Sequence, residues 1–225
     1  MTKTTKYNNL LYFMITIGIS TIFLNCQGKD TINKIVIADT IIVENKQIKV
    51  GTEQTELYFP ILKNKKIGVL SNQTSTIANQ HIVDTLVNAG FEIECIFAPE
   101  HGFRGHAEAG EKVSGSIDSK TGIKVISLYG KNFKPAKKDI ANIDIMIFDI
   151  QDVGARFYTY ISTLHYLMEA CADAEIPLLV LDRPNPNGFY IDGPILNLDF
   201  QSFIGMHTIP IIHGMTIGEI AQMIN

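Results

Sequence analysis

The chain has no Gly-x-Gly-x-x-Gly after its first apolar run and no Gly-x-x-x-x-Gly-Lys-Ser/Thr. Those loops wrap backbone N–H groups around phosphates, so their absence disfavours a dinucleotide or nucleotide cofactor. A Gly-x-Ser-x-Gly elbow is missing as well, which removes the α/β-hydrolase type of serine nucleophile. No extended Lys/Arg-rich run occurs and the net charge is −4, so nothing favours a nucleic-acid partner. His-Glu-x-x-His is absent, and neither cofactor nor metal is expected. Cysteine is scarce: three in 225 residues do not make a disulfide scaffold at this size. Cys95 falls in an apolar strand pattern and Cys171 on an apolar helical face, the usual places of buried free thiols.

What is present begins with an export signal. Lys3 and Lys6 precede an almost wholly apolar stretch from Leu10 to Leu24, and Cys26 follows. A basic start and an apolar core of this length suit secretion better than a membrane span. The cysteine resembles that of a lipoprotein signal, in which Cys26 becomes the lipidated N-terminus. An uncleaved anchor or an ordinary signal peptide are the alternatives. The expected organisation is a signal over 1–26, a polar tether over 27–58 and a folded domain over 59–225. An exported protein, held by lipid to a periplasmic or outer-membrane surface, follows from that reading.

The folded part alternates apolar strands with helical patterns. Strands are predicted at 67–70, 91–98, 124–128, 143–150 and 177–181, and helices over 79–89 and 156–175. Gly90 is the stop of the first helix. Near-continuous apolar strands between helices predict a doubly wound, mostly parallel α/β sheet. Thr216-Ile217-Gly218-Glu219 matches a helix-start capping box. The helix it opens stops at Asn225, so the sequence reads as lacking a C-terminal region. A domain cut short in this way is expected to leave apolar surface exposed.

The chemistry sits at strand ends, where ligands bind in open parallel sheets. Pro99-Glu100-His101-Gly102-Phe103-Arg104 follows one strand, Asp149-Ile150-Gln151-Asp152 with Arg156, Tyr158 and Tyr160 a second, and Asp182-Arg183-Pro184-Asn185 a third. His213-Gly214-Met215-Thr216 precedes the last helix. Carboxylates, arginines, amides and tyrosines suit a polyhydroxylated or anionic ligand. Each residue also has a structural alternative. Asp149 or Asp182 can cap a loop or helix, Arg156 can pair with Asp149 or Asp152, and the tyrosines can pack. A metal centre from Glu100, His101, Asp152 and His213 is a further alternative that no spacing supports.

Together the segments 98–105, 149–163, 181–186, 192–194 and 213–219 resemble the exo-β-N-acetylmuramidases, over about residues 60 to 225. The resemblance implies a Rossmann-like catalytic domain, followed in the family by a smaller second domain that this chain is expected to lack. It implies a glycosidase that releases N-acetylmuramic acid from the non-reducing end of peptidoglycan fragments. The alternative is a lipid-tethered module that binds muropeptides without turnover. Glycosidases commonly use two carboxyl groups. Glu100 is the expected acid and Asp152 the expected second group, although the substrate's 2-acetamido group can replace a protein nucleophile. Arg156, Arg104 and Arg183 are candidates for the lactyl carboxylate. Asn185, Gln151 and Tyr158 are candidates for the hydroxyl and acetamido groups, and His101, Asp149, Tyr160, Asp182 and His213 complete the expected binding set.

Overall fold

The computed structural model describes residues 48–105, 116–130 and 132–225. The signal, Cys26 and the tether up to residue 47 lie outside the described residues. In chain order the helices are α1 (Thr55–Leu62), α2 (Ile82–Asn88), α3 (Lys137–Ile140), α4 (Tyr160–Asp173) and α5 (Ile217–Ile224). The strands are β1 (Lys66–Ser71), β2 (Thr76–Ile77), β3 (Gln80–His81), β4 (Glu92–Ala98), β5 (Ser116–Ile117), β6 (Lys124–Ser127), β7 (Ile145–Asp149) and β8 (Leu178–Val180).

Six strands form one sheet in the order β5-β6-β4-β1-β7-β8. All neighbours run parallel except the short edge strand β5. β2 and β3 make a separate small hairpin. The predicted doubly wound α/β sheet is therefore the observed one, and its winding reverses between β1 and β7.

Alternate residues of the central strands feed two cores. Leu70, Phe97, Met146 and Phe148 pack with Ile140, Leu164, Leu167 and Ile220 of α3, α4 and α5. Ile67, Val69, Ile96 and Ile147 pack with Leu62, Ile82 and Leu86 of α1 and α2. Both faces are covered, which is why these strands read as continuous apolar runs. Each such fully buried side chain contributes about 1.5–3 kcal/mol relative to exposure.

Three boundaries differ from the sequence reading. The helix predicted over 79–89 begins at Ile82, because His81 is its cap and takes the Val83 amide on Nδ1 at 3.2 Å. The helix predicted over 156–175 begins at Tyr160. Residues 155–158 form a turn instead, held to the neighbouring segment by the Arg156 amide on the Ile211 carbonyl at 2.8 Å. The described fold also begins ahead of residue 59, within the stretch read as tether. Gly51 donates its amide to the Asp182 carbonyl at 2.6 Å, and a Cβ there would meet the Asp182 nitrogen at 2.6 Å. Thr52 and Tyr58 are buried beside it, the Tyr58 hydroxyl donating to the Thr52 carbonyl at 2.9 Å.

Candidate active site

The loops after β1 and β7 meet where the winding reverses, the usual ligand position in such sheets. They are bonded to each other. The Ser75 hydroxyl donates to the Asp149 carbonyl, and the Gln151 amide donates to Thr74 Oγ1 at 3.0 Å. Asn72 accepts the Thr74 amide on Oδ1 at 2.9 Å, which fixes its orientation. Its Nδ2 is buried without a hydrogen-bond partner among the described residues.

The end of β4 presents Glu100 and His101. His101 has φ 70°, a left-handed conformation uncommon for a side-chain-bearing residue. Glu100, His101, Phe157, Tyr158, Thr159 and Tyr160 line an open hollow of about 380 Å³. Glu100 Oε2 receives the Thr159 hydroxyl at 3.4 Å. Burial raises the Tyr160 phenol above its ordinary value, against an opposing pull from the Asn72 side chain and with smaller upward pushes from the charges of Glu100 and Asp152.

Asp152 lies behind this hollow and is almost fully buried. Its Oδ2 takes the Gly154 amide at 2.8 Å and stands 3.6 Å from Nε2 of His213. Gly154 has φ +80°, and a Cβ on it would lie 2.1 Å from Asn185 Oδ1, so only glycine fits. His213 lines a second hollow of about 690 Å³ with Phe189, Tyr190 and Ile191.

Other predicted site residues bind neighbouring segments of the fold. Arg183 grips the fully buried Asp149 at 2.6 and 3.1 Å. Burial raises the Asp149 carboxyl above the ordinary carboxylate value, and the Arg183 guanidinium limits the rise. Asp182 takes the Gly218 amide at 2.8 Å and the Thr216 hydroxyl at 2.7 Å, seating the start of α5. Gln151 donates to the carbonyls of Asp152 and Pro184, both at 2.8 Å. Asn185 donates to the Met215 carbonyl at 2.8 Å and accepts the Asn187 amide at 2.8 Å. Arg156 reaches the carbonyls of Pro194 and Ile209, at 3.0 and 2.5 Å.

Arg104 turns toward the β3–α2 side. It forks onto Asp118 at 2.7 and 2.8 Å and onto Asp84 at 2.8 and 3.3 Å. The structure thus places Glu100, His101, Tyr158 and Tyr160 on one hollow with Asp152 behind, and joins Arg104 to carboxylates elsewhere. Thr159, Phe157 and Asn72 were not legible as site residues. Ser71-Asn72-Gln73-Thr74 reads in sequence only as a loop, and its place at the end of a strand buried from Ile67 onward is the signal that marks it. Among the described residues no three His, Cys, Asp or Glu side chains converge to hold a metal ion.

A reversed-winding parallel sheet with an acid-bearing hollow at its carboxyl edge defines a Rossmann-like α/β protein. The chain belongs to the NamZ family: the model of that family described as "Exo-beta-N-acetylmuramidase NamZ, N-terminal" matches residues 67–225. It is 50% identical over 167 residues to the peptidoglycan β-N-acetylmuramidase NamZ of Bacillus subtilis (strain 168), a match covering 73% of this chain and 40% of that protein. Two crystal structures of DUF1343 family proteins from Bacteroides fragilis are similar. One has 50% identity and a TM-score of 0.70, over 78% of this chain and 46% of the other. The second has 38% identity and a TM-score of 0.72, over 79% and 45%. The chain thus spans under half the length of these relatives.

Proposed function

We propose that this chain carries the catalytic carboxylates of an exo-acting glycosidase that releases N-acetylmuramic acid from the non-reducing end of peptidoglycan fragments. The observation that carries the reading is Glu100 at the end of β4, on an open hollow that it shares with His101, Tyr158 and Tyr160. Membership of the NamZ family supplies the substrate class. Glu100 protonates the departing glycosidic oxygen as the bond to the sugar's C1 breaks. Asp152 or the 2-acetamido group offsets the positive charge at C1, and water supplies the hydroxyl of the released sugar and returns a proton to Glu100. The half-exposed Tyr158 offers its ring face to the sugar.

Turnover of a chromogenic β-N-acetylmuramic acid glycoside by this chain tests the reading. Glu100→Gln is expected to lower kcat by about 10²–10⁴, the usual contribution of a positioned acid. Undiminished turnover removes Glu100 from that role. The second reading is a module that binds muropeptides without cutting them. Calorimetric binding of N-acetylmuramic acid with no turnover is its signature.

We further propose that the protein is exported and held at the membrane through lipid on Cys26. Cells expressing the chain should incorporate labelled palmitate into it, and Cys26→Ala should abolish the label. A label that persists in the variant overturns the anchor.

A further inference from the structure

The Met215 amide donates to Nδ1 of His213 at 3.2 Å. A nitrogen that accepts cannot carry the proton, so the neutral ring holds its proton on Nε2. That nitrogen has no hydrogen-bond partner among the described residues. Asp152 Oδ2 lies 3.6 Å from it, in a pair whose side chains are 0% and 4% exposed. The separation is slightly long for a hydrogen bond, and such bonds at reacting centres often tighten only when substrate is bound.

The placement is built by the backbone. Ala155 and Ile212 form an antiparallel bridge, the Arg156 amide bonds the Ile211 carbonyl at 2.8 Å, and Asn185 ties the Met215 carbonyl at 2.8 Å. These bonds set the 152–156 loop in register with 209–215 and bring the imidazole to Oδ2. The Gly154 amide holds the same oxygen. The other oxygen, Oδ1, is buried with no hydrogen bond among the described residues.

We infer that His213 is a positioning residue, which steadies Asp152 through Oδ2 from a backbone-fixed tautomer and leaves Oδ1 as the oxygen that serves the reacting sugar. The inference rests on the reading that Asp152 takes part in glycoside cleavage. It extends the usual logic by which a second partner orients a working side chain. A purely structural histidine would matter only for the Met215 amide it accepts.

Two substitutions separate these roles. Asn at 213 places an amide oxygen near the position of Nδ1 and keeps the Met215 bond, but offers nothing at the position of Nε2. Gln reaches the position of Nε2 and keeps a donor toward Asp152, but gives up the Met215 acceptor. On the chromogenic glycoside, His213→Asn is expected to lower kcat about 10–100-fold with KM within about two-fold of the original, and His213→Gln to recover most of that loss. The reverse order overturns the inference.

Two spectroscopic readouts on the whole chain need no turnover. Long-range ¹H–¹⁵N spectra should show the His213 proton on Nε2, and the Asp152 carboxyl ¹³C resonance should move in His213→Asn but stay in His213→Gln. A proton on Nδ1, or a carboxyl resonance indifferent to both variants, overturns the inference. If the unaltered chain fails to cleave the glycoside, the proposed activity is struck, and the spectra still decide the role of His213.

Discussion

Arg104 is clamped between Asp84 and Asp118, whose side chains are 4% and 3% exposed. Burial pushes both carboxyls up, but Arg104, helped by Lys120 at Asp84 and Thr121 at Asp118, holds them below the ordinary carboxylate range. A carboxyl held low in the folded state stabilises it above the unfolded carboxylate range, and the contribution is lost as pH falls through the folded value. Stability should therefore drop steeply below about pH 4. Arg104→Ala should cost about 3–5 kcal/mol at pH 7, the usual penalty for orphaning buried charge, and should flatten the drop. Urea unfolding at pH 7 and pH 3 checks both, and a variant as stable as the parent at pH 7 contradicts the clamp. At this scale the sequence was least legible. Arg104, Arg183 and Asn185 are ordinary strand-end residues by position, and their partners at Asp84, Asp149 and Met215 lie twenty or more residues away. Glu100 stood out because Pro99 and Gly102 bracket it at the end of an apolar run.

Elements were far more legible than side-chain partners. β1, β4 and β7 announce themselves as buried on both faces, and the switch in winding follows from their order. The capping box of α5 is also visible in sequence: Glu219 accepts the Thr216 amide at 2.8 Å, and Thr216 Oγ1 accepts the Glu219 amide at 3.2 Å. Local spacing alone dictates such a cap. It gives no hint that Asp182 joins in, because that bond is set by where β8 ends. Most of helix α1 lies in or beside the stretch read as tether, and it carries Pro60 inside it, a residue that does not signal a helix interior. Thr216→Ala should cost about 1 kcal/mol, the typical value of a lost cap. Asp182→Ala should cost more, since it removes bonds to Thr216, Gly218 and the Arg183 amide together. Thermal unfolding of the two variants ranks them, and equal losses would remove Asp182 from the cap.

For the molecule as a whole, the run from 189 to 204 leaves Phe189, Ile191, Phe200 and Ile204 exposed. Exposed apolar side chains of this number favour association. The chain should self-associate as its concentration rises, and the double substitution Phe189→Ser with Phe200→Ser should suppress this in sedimentation velocity. Association unchanged by the pair would place the sticky surface elsewhere. The seat of Gly51 on the Asp182 backbone has a mechanical meaning. Traction along the leading segment arrives at the tip of β8, an edge strand, beside the residue that seats α5. The rim would unfasten before the load reached β1, so the carboxyl edge of the sheet would loosen while its middle stayed knitted.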